Sequence, residues 1–225
     1  MRQHPSFAMT DVAELRRVIA GNPWATLVGR DGEGLTASHY AVLLDPDRDD
    51  LTVVGHVGRP DDHVLGLGEG ELLVVFQGPH GYISPGWYGD VAAVPTWNYV
   101  AVHLAGIPEI LSSEENLRIL EHLVDHFEEG RPQPRGMWTP PNDEVFIRRL
   151  AAGTVGFRLT PTRVTAKRKL SQNRPDEVVE NVILQLSEDG SSPNPALAAE
   201  MRRAYDARVA ARDVATTGRG DGARS

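Results

Sequence analysis

The sequence predicts a mostly β chain with peripheral helices, of α+β class, whose strands close into a small barrel. Three observations carry this expectation. Apolar residues alternate with a period of two through Trp24–Val28, Leu35–Leu44, Leu51–Val57, Glu71–Gln77 and a longer run from Thr96 to Ile110, the pattern of half-buried strands. The 22 Gly and 16 Pro are spread along the chain, which favours short strands and tight turns over a helical bundle. With 225 residues, 40% of them hydrophobic, the chain suffices for one substantial core or two small ones.

The elements follow in chain order. Asp11-Val-Ala-Glu14 fits a capping box, and Leu15, Val18 and Ile19 continue at helical spacing until Gly21-Asn-Pro23 stops the run. Asp31-Gly-Glu-Gly34 is the turn of a hairpin between the first two strands. GPHGYISPGWY, Gly78–Tyr88, packs three Gly, two Pro, a His, a Trp and two Tyr into what reads as a turn after an apolar strand. Ser112-Ser-Glu-Glu115 opens a second capped helix, with Leu117, Leu120, Leu123, Val124 and Phe127 on one face and Gly130 at its end. A short helix is expected over Asp143–Ala152. Val155, Phe157 and Leu159 alternate as a strand, and Val164–Leu170 is expected as its hairpin partner.

Pro175 starts another helix, to about Leu186, which ends an expected barrel domain of residues 1–186. Residues 187–213 read as a linker and a C-terminal amphipathic helix, and 214–225 as a disordered tail. The helix carries Leu197, Met201, Tyr205 and Val209 at i, i+4 spacing, a stripe for docking on its own body or on a partner subunit.

Composition removes several function classes. The net charge is −8, from 31 acidic and 23 basic residues, which makes DNA a doubtful partner because phosphate neutralisation supplies most of such affinity. No apolar run approaches the roughly 20 residues needed to cross a bilayer, and MRQHPSFAMT lacks the apolar core of a signal peptide. Zero Cys excludes disulfides, thiolate nucleophiles and Cys-held metals. A cytoplasmic protein without membrane contact is expected.

No spacing announces a reaction: Walker loop, GxSxG, HExxH and dinucleotide fingerprint are all missing. His122 and His126 have metal-ligand spacing but sit among Arg118, Glu121, Asp125 and Glu129, the composition of a solvated helix face. His39, His56 and His103 lie inside strands. On LTASHYAVLL, Thr36 and Ser38 share one face and His39 takes the other. LTVVGHVGRPDDH runs out into Gly55, His56, Gly58, Arg59 and His63, either a phosphate cradle of backbone N–H groups and guanidinium or an ordinary polar turn. On VPTWNYVAVHLAG, Trp97, Tyr99, Ala101 and His103 face one way, as core, subunit interface or a wall on which a planar ring stacks. AKRKLSQNRP sets Lys167, Arg168, Lys169 and Arg174 together without an acidic residue. It reads as a solvated edge strand or as an anion- or flavin-edge binder.

FQGPHGYISPGWY, VPTWNYVAVH and KLSQNRP, in this order and spacing, resemble the PaiB-like family of FMN-binding negative transcriptional regulators. GNPW and ATLVGRDGEGLTASHYAVLLD resemble that family's early hairpin, and the resemblance covers about Phe7–Leu186. It implies a flavin-reductase-like split β-barrel, homodimeric, with a cofactor site at each end of the subunit interface. FMN phosphate would then lie near His56, Arg59 and His63, and the isoalloxazine along Thr36, Ser38 and His39. Trp97, Lys167 and Gln172 of the partner copy would form the far wall. The chain departs from the family in GRPDDHV, where Asp61 and Asp62 bring negative charge to the expected phosphate position.

Two functions follow from the resemblance: a flavin-dependent oxidoreductase, or a flavin-linked negative transcriptional regulator acting indirectly. No catalytic acid or base can be named. The alternative is haem b on the same barrel, since relatives include haem-dependent piperazate synthases that close an N–N bond. Its axial ligand here would be His56, with Gly55 beside it leaving room for a flat macrocycle.

Overall fold

Among the described residues the period-two stretches form eight strands: β1 (Trp24–Arg30), β2 (Leu35–Leu44), β3 (Val53–Gly58), β4 (Leu72–Ile83), β5 (Thr96–Gly106), β6 (Glu109–Ile110), β7 (Thr154–Leu159) and β8 (Arg163–Lys169). The helices are α1 (Val12–Ala20), α2 (Asp61–Val64), α3 (Ser113–Glu128), α4 (Glu144–Ala151), α5 (Asp176–Leu186) and α6 (Pro195–Thr217). The computed structural model describes the chain except residues 2, 3, 31, 33, 91 and 218–225, and of residues 215–217 it describes the backbone alone. Most of the expected tail therefore lies outside the described residues.

The strands hydrogen-bond in the order β6-β7-β3-β2-β1-β4-β5-β8. The pairs β1–β2, β1–β4, β2–β3, β3–β7 and β6–β7 are antiparallel. By its contacts the chain divides into two compact units. The larger is Met9–Gln77 with Ala101–Ala166; the smaller is Met1–Ala8, Gly78–Val100 and Lys167–Ser225. Strands β4, β5 and β8 each run from one into the other. Among the described residues no helix is long and apolar enough to cross a membrane.

In the larger unit the β1–β2 hairpin pairs Arg30 with Leu35, as the Asp31–Gly34 turn requires; Asp31 and Glu33 themselves lie outside the described residues. Asp11 caps α1 by accepting from the Glu14 amide, and Ser112 and Glu115 exchange both bonds of the capping box at α3. The α3 stripe divides its burial. Ile119 and Leu123 pack with Leu43, Val54 and Leu111, while Leu117 packs with Met137 and Ile147. Arg158 on β7 pairs at 2.8 Å with Asp45, which is only 2% exposed.

Two expectations are corrected here. Strands β7 and β8 are not a hairpin pair: β3 and β6 occupy both edges of β7, so β8 takes the open edge beyond β5. After the Pro161 link, the Thr162 amide bonds the Ala105 carbonyl at 2.9 Å. The long strand to Ile110 is broken after Gly106, where Pro108 has no N–H to continue a ladder.

The smaller unit corrects the reading of GPHGYISPGWY as a turn throughout. Gly78–Ile83 continues β4, and only Pro85–Tyr88 forms a single 3₁₀ turn, capped by the Ser84 side chain on the Gly86 amide. Glycine is required in that strand because another element passes close by. A Cβ on Gly81 would stand 2.9 Å from Asn194 Nδ2 and 3.0 Å from Leu197 Cδ2, both of the C-terminal segment. Leu197 and Met201 on α6 are buried, as are Val178, Val179 and Val182 on α5. Of the two docking sites expected for the α6 stripe, its own body is thus occupied.

Candidate functional site

In the larger unit the pleat of β2 separates its candidates onto two faces. Thr36, Ser38 and Tyr40 are half-buried, whereas Leu35, Ala37 and His39 are exposed. Thr36 lies opposite Gly29 of β1, and His39 stacks on Trp24 at 6.5 Å between centroids. The Ser38 and Tyr40 hydroxyls both donate to Asp61 Oδ2 at 2.8 Å, and the Gly58 amide donates to the Tyr40 oxygen at 3.1 Å. Burial, followed by the bond to Asp61, raises the Tyr40 pKa above the usual phenol value, so this hydroxyl remains a donor. Tyr40 and Asp61 were not among the sequence candidates. The period-two rule that pairs Thr36 with Ser38 also reaches Tyr40; no local rule brings Asp61 to it.

Arg59 Nη1 meets Asp62 Oδ2 at 2.9 Å, and the exposed His63 approaches the same oxygen at 3.8 Å. The other Asp62 oxygen is buried without a partner. These three residues, with Leu67, Glu69 and Ile110, line a cavity of about 290 Å³. His56 is half-buried, edge-on to Tyr40 at 6.2 Å, with Nδ1 buried and unpartnered. Burial pushes its pKa below the ordinary 6.5, favouring the neutral imidazole. The room expected beside Gly55 is filled: a Cβ there would stand 3.1 Å from both the Ala41 carbonyl and the Phe157 ring.

In the smaller unit the alternation read on VPTWNYV is observed. Asn98 and Val100 are fully buried, while Trp97 is 55% exposed. Trp97 stacks with His80 at 6.4 Å and 25°, and meets the edge of Tyr82 at 6.4 Å and 74°. Lys167 Nζ lies 5.6 Å from the Tyr99 ring and 5.9 Å from the Phe7 ring. The Gln172 amide holds its own loop: Nε2 donates to the Ser6 and Arg168 carbonyls at 3.1 and 2.6 Å, and Oε1 accepts from the Leu170 amide at 2.7 Å. Lys169 donates to the Thr96 hydroxyl. Its pKa is lowered by burial and by the charges of Lys167 and Arg174.

The other histidines assemble nothing. His103 is half-buried and its pKa is lowered, first by desolvation. His122 lines a cavity of about 150 Å³ with Arg118 and Arg158, and His126 is exposed. Among the described residues no three His, Asp or Glu stand close enough to hold a metal ion.

A protein family described as "Putative FMN-binding domain" matches residues 1–163. The chain belongs to this family. It is 32% identical over 197 residues to the protease synthase and sporulation protein PAI 2 of Bacillus subtilis, covering 87% of this chain and 93% of that protein. Two solved structures share the fold. The flavocytochrome Anf3 of Azotobacter vinelandii matches with a TM-score of 0.58 at 14% identity, over 75% of this chain and 72% of its own. The FAD and heme binding protein of Mycobacterium smegmatis matches with a TM-score of 0.54 at 18% identity, over 77% and 78%. At such identities the likeness is one of fold, the split barrel that the sequence motifs implied.

For this member of the FMN-binding family, the two residue groups fit the parts of FMN unequally. The exposed stack of Trp97, His80 and Tyr82 suits a flat conjugated ring, and Lys167 on the Tyr99 ring and Lys169 on the Thr96 hydroxyl bring positive charge to residues that flank Trp97 on β5. Residues 56–63 suit a phosphate poorly as they stand, because Arg59 is matched by Asp62 and two hydroxyl donors point at Asp61.

Proposed function

We propose that the protein binds FMN and works as a flavin-dependent oxidoreductase or a flavin-linked regulator. The observation that carries this reading is the exposed Trp97–His80–Tyr82 stack, with Lys167 on the ring of Tyr99 two residues along the same strand, in a chain of the FMN-binding family. When bound, flavin supplies hydride and electron transfer itself, so the protein's task is to hold it. Trp97 offers the ring a stacking face, Lys167 and the loop shaped by Gln172 offer charge and backbone amides, and the ring's other side meets one face of β2, either that of Thr36 and Ser38 or that of His39. Arg59 and His63 meet the phosphate only after Arg59 leaves Asp62.

We place these two groups in one site by a homodimer, the partner copy supplying Trp97, Lys167 and Gln172. Support comes from the outer face of β1–β2, which leaves Trp24 66% and Leu35 77% exposed at opposite ends of the hairpin. With a net charge of −8, any regulatory effect is indirect and not a grip on DNA. The cysteine-free composition agrees with a cytoplasmic setting.

The test is the absorption spectrum of the purified protein, alone and titrated with FMN. Flavin bands with quenched fluorescence support the reading, and reduction by NAD(P)H then separates enzyme from sensor. An unchanged FMN spectrum at high protein concentration rejects it. A second reading, haem b on His56, rests on the buried and unpartnered Nδ1, and it requires the room beside Gly55 that Ala41 and Phe157 fill to open. A Soret band with haemin that disappears in His56→Ala would establish it.

A further inference from the structure

We infer that α6 is the positioning element of the Trp97 wall, and that Arg208 is the residue through which it holds the Leu170–Arg174 loop. The inference rests on the FMN reading above. The family match ends at residue 163, well before this helix. Yet the helix and its N-terminal flank touch each of the three motifs in the smaller unit. Asn194 Nδ2 donates to the His80 carbonyl at 3.0 Å, in GPHGY. Met201 Sδ accepts from the buried Asn98 Nδ2 at 3.4 Å, directly behind Trp97. Arg208 donates through Nη1 to the Gln172 carbonyl and through Nη2 to Asp176 Oδ1, both at 2.6 Å.

The loop needs such a hold. Ser171 has φ 62°, a left-handed conformation that L-residues with side chains adopt rarely and keep only when their surroundings impose it. Contacts on both sides impose it here: Asn98 Nδ2 to the Ser171 hydroxyl at 2.9 Å, the Arg174 amide to the Ser171 carbonyl at 2.9 Å, and Arg208 to the next carbonyl. The guanidinium is itself held, 5.3 Å from the Tyr205 ring on one side and on Asp176 on the other. Gln172 in turn ties the loop to the Arg168 carbonyl, next in chain to Lys167. Without Arg208 the Gln172 carbonyl loses its cation, and the strained loop beside the wall keeps only the Asn98, Gln172 and Arg174 contacts and opens more often. The buried α6 side chains, Leu197 and Met201, stay in place.

The experiment compares the full chain with Arg208→Met and Arg208→Lys by two readouts. The first is hydrogen exchange without flavin at the Leu170 and Arg174 amides, which bond Gln172 Oε1 and the Ser171 carbonyl. We expect both to exchange about tenfold faster in Arg208→Met while the α5 core amides keep their protection, with Arg208→Lys in between. The second is FMN titration, where Arg208→Met should bind about tenfold more weakly, as lost supporting contacts typically do, and Arg208→Lys should recover part of it. Unchanged loop exchange overturns the inference, as does a uniform loss of protection across α5 and α6, which would make Arg208 merely structural. Should Arg208→Met fail to fold, the loop exchange of Arg208→Lys decides alone. Absence of FMN binding in the unmodified chain would sink the FMN reading and leave the exchange result standing as the test of the clamp.

Discussion

The two groups of candidate residues are built from similar side chains and differ in how their charges and donors are answered. In the larger unit, Ser38 and Tyr40 point at Asp61 and Arg59 is matched by Asp62, so the group is closed on itself. In the smaller unit, Trp97 is more than half exposed, Lys167 faces aromatic rings, and the Lys169 pKa is lowered first by burial and then by the charges of Lys167 and Arg174. A histidine, an arginine and two hydroxyls in a row are therefore not yet a binding site. What counts is whether the fold also brings the counter-charge.

Four experiments break or sharpen that contrast, the largest effect first. Phe157→Ala removes the ring beneath Gly55 and hence the support of β3; denaturant unfolding should show a loss of about 3–5 kcal/mol. A loss under about 1 kcal/mol would mean that β3 does not rely on this packing. Trp97→Ala should leave stability nearly unchanged and weaken FMN by about 1–3 kcal/mol, the usual worth of a stacking partner, read by flavin fluorescence. Equal affinity would reject Trp97 as the ring's wall.

Third is pH. The pKa values of His56 and His103 are lowered in the folded state, whereas the unfolded chain takes up protons near 6.5. The unfolded state then binds more protons, so the stability held above about pH 6.5 declines as pH falls through that value, by at most about 1.4 kcal/mol per pH unit and group. His56→Gln should flatten part of the slope in unfolding curves taken from neutral to mildly acid pH. A slope identical to that of the parent chain would mean that His56 protonates equally well when folded.

Asp62→Asn gives the smallest effect. Arg59 is half exposed, so breaking the pair should change stability by less than about 1 kcal/mol. Freed of its counter-charge, Arg59 should raise the preference for FMN over riboflavin severalfold in paired titrations. If that ratio does not move, the phosphate does not bind at residues 56–63.

Much of this was legible in the chain because it is local. Asp11 and the Ser112–Glu115 pair cap helices by contacts three residues apart, and the expected hairpin is observed in the pairing of Arg30 with Leu35. The alternation that turns Trp97 outward and Asn98 inward follows from the pleat alone. The three aromatic and basic motifs carried the family. The sequence by itself thus determined most strand positions, the caps, the outward aromatic face and the FMN-binding family.

Only the tertiary structure decided which edges stayed open and which charges met. β8 went to the edge of β5 because both sides of β7 were taken, a competition among strands that no single stretch encodes. Gly81 had to be glycine because of a segment more than a hundred residues later in the chain. Asp61 reaches Tyr40 across 21 residues and Arg208 reaches Gln172 across 36. Periodicity and capping are interactions between near neighbours. Neutralising a candidate site, or bracing one, depends on contacts that exist only after the chain has closed on itself.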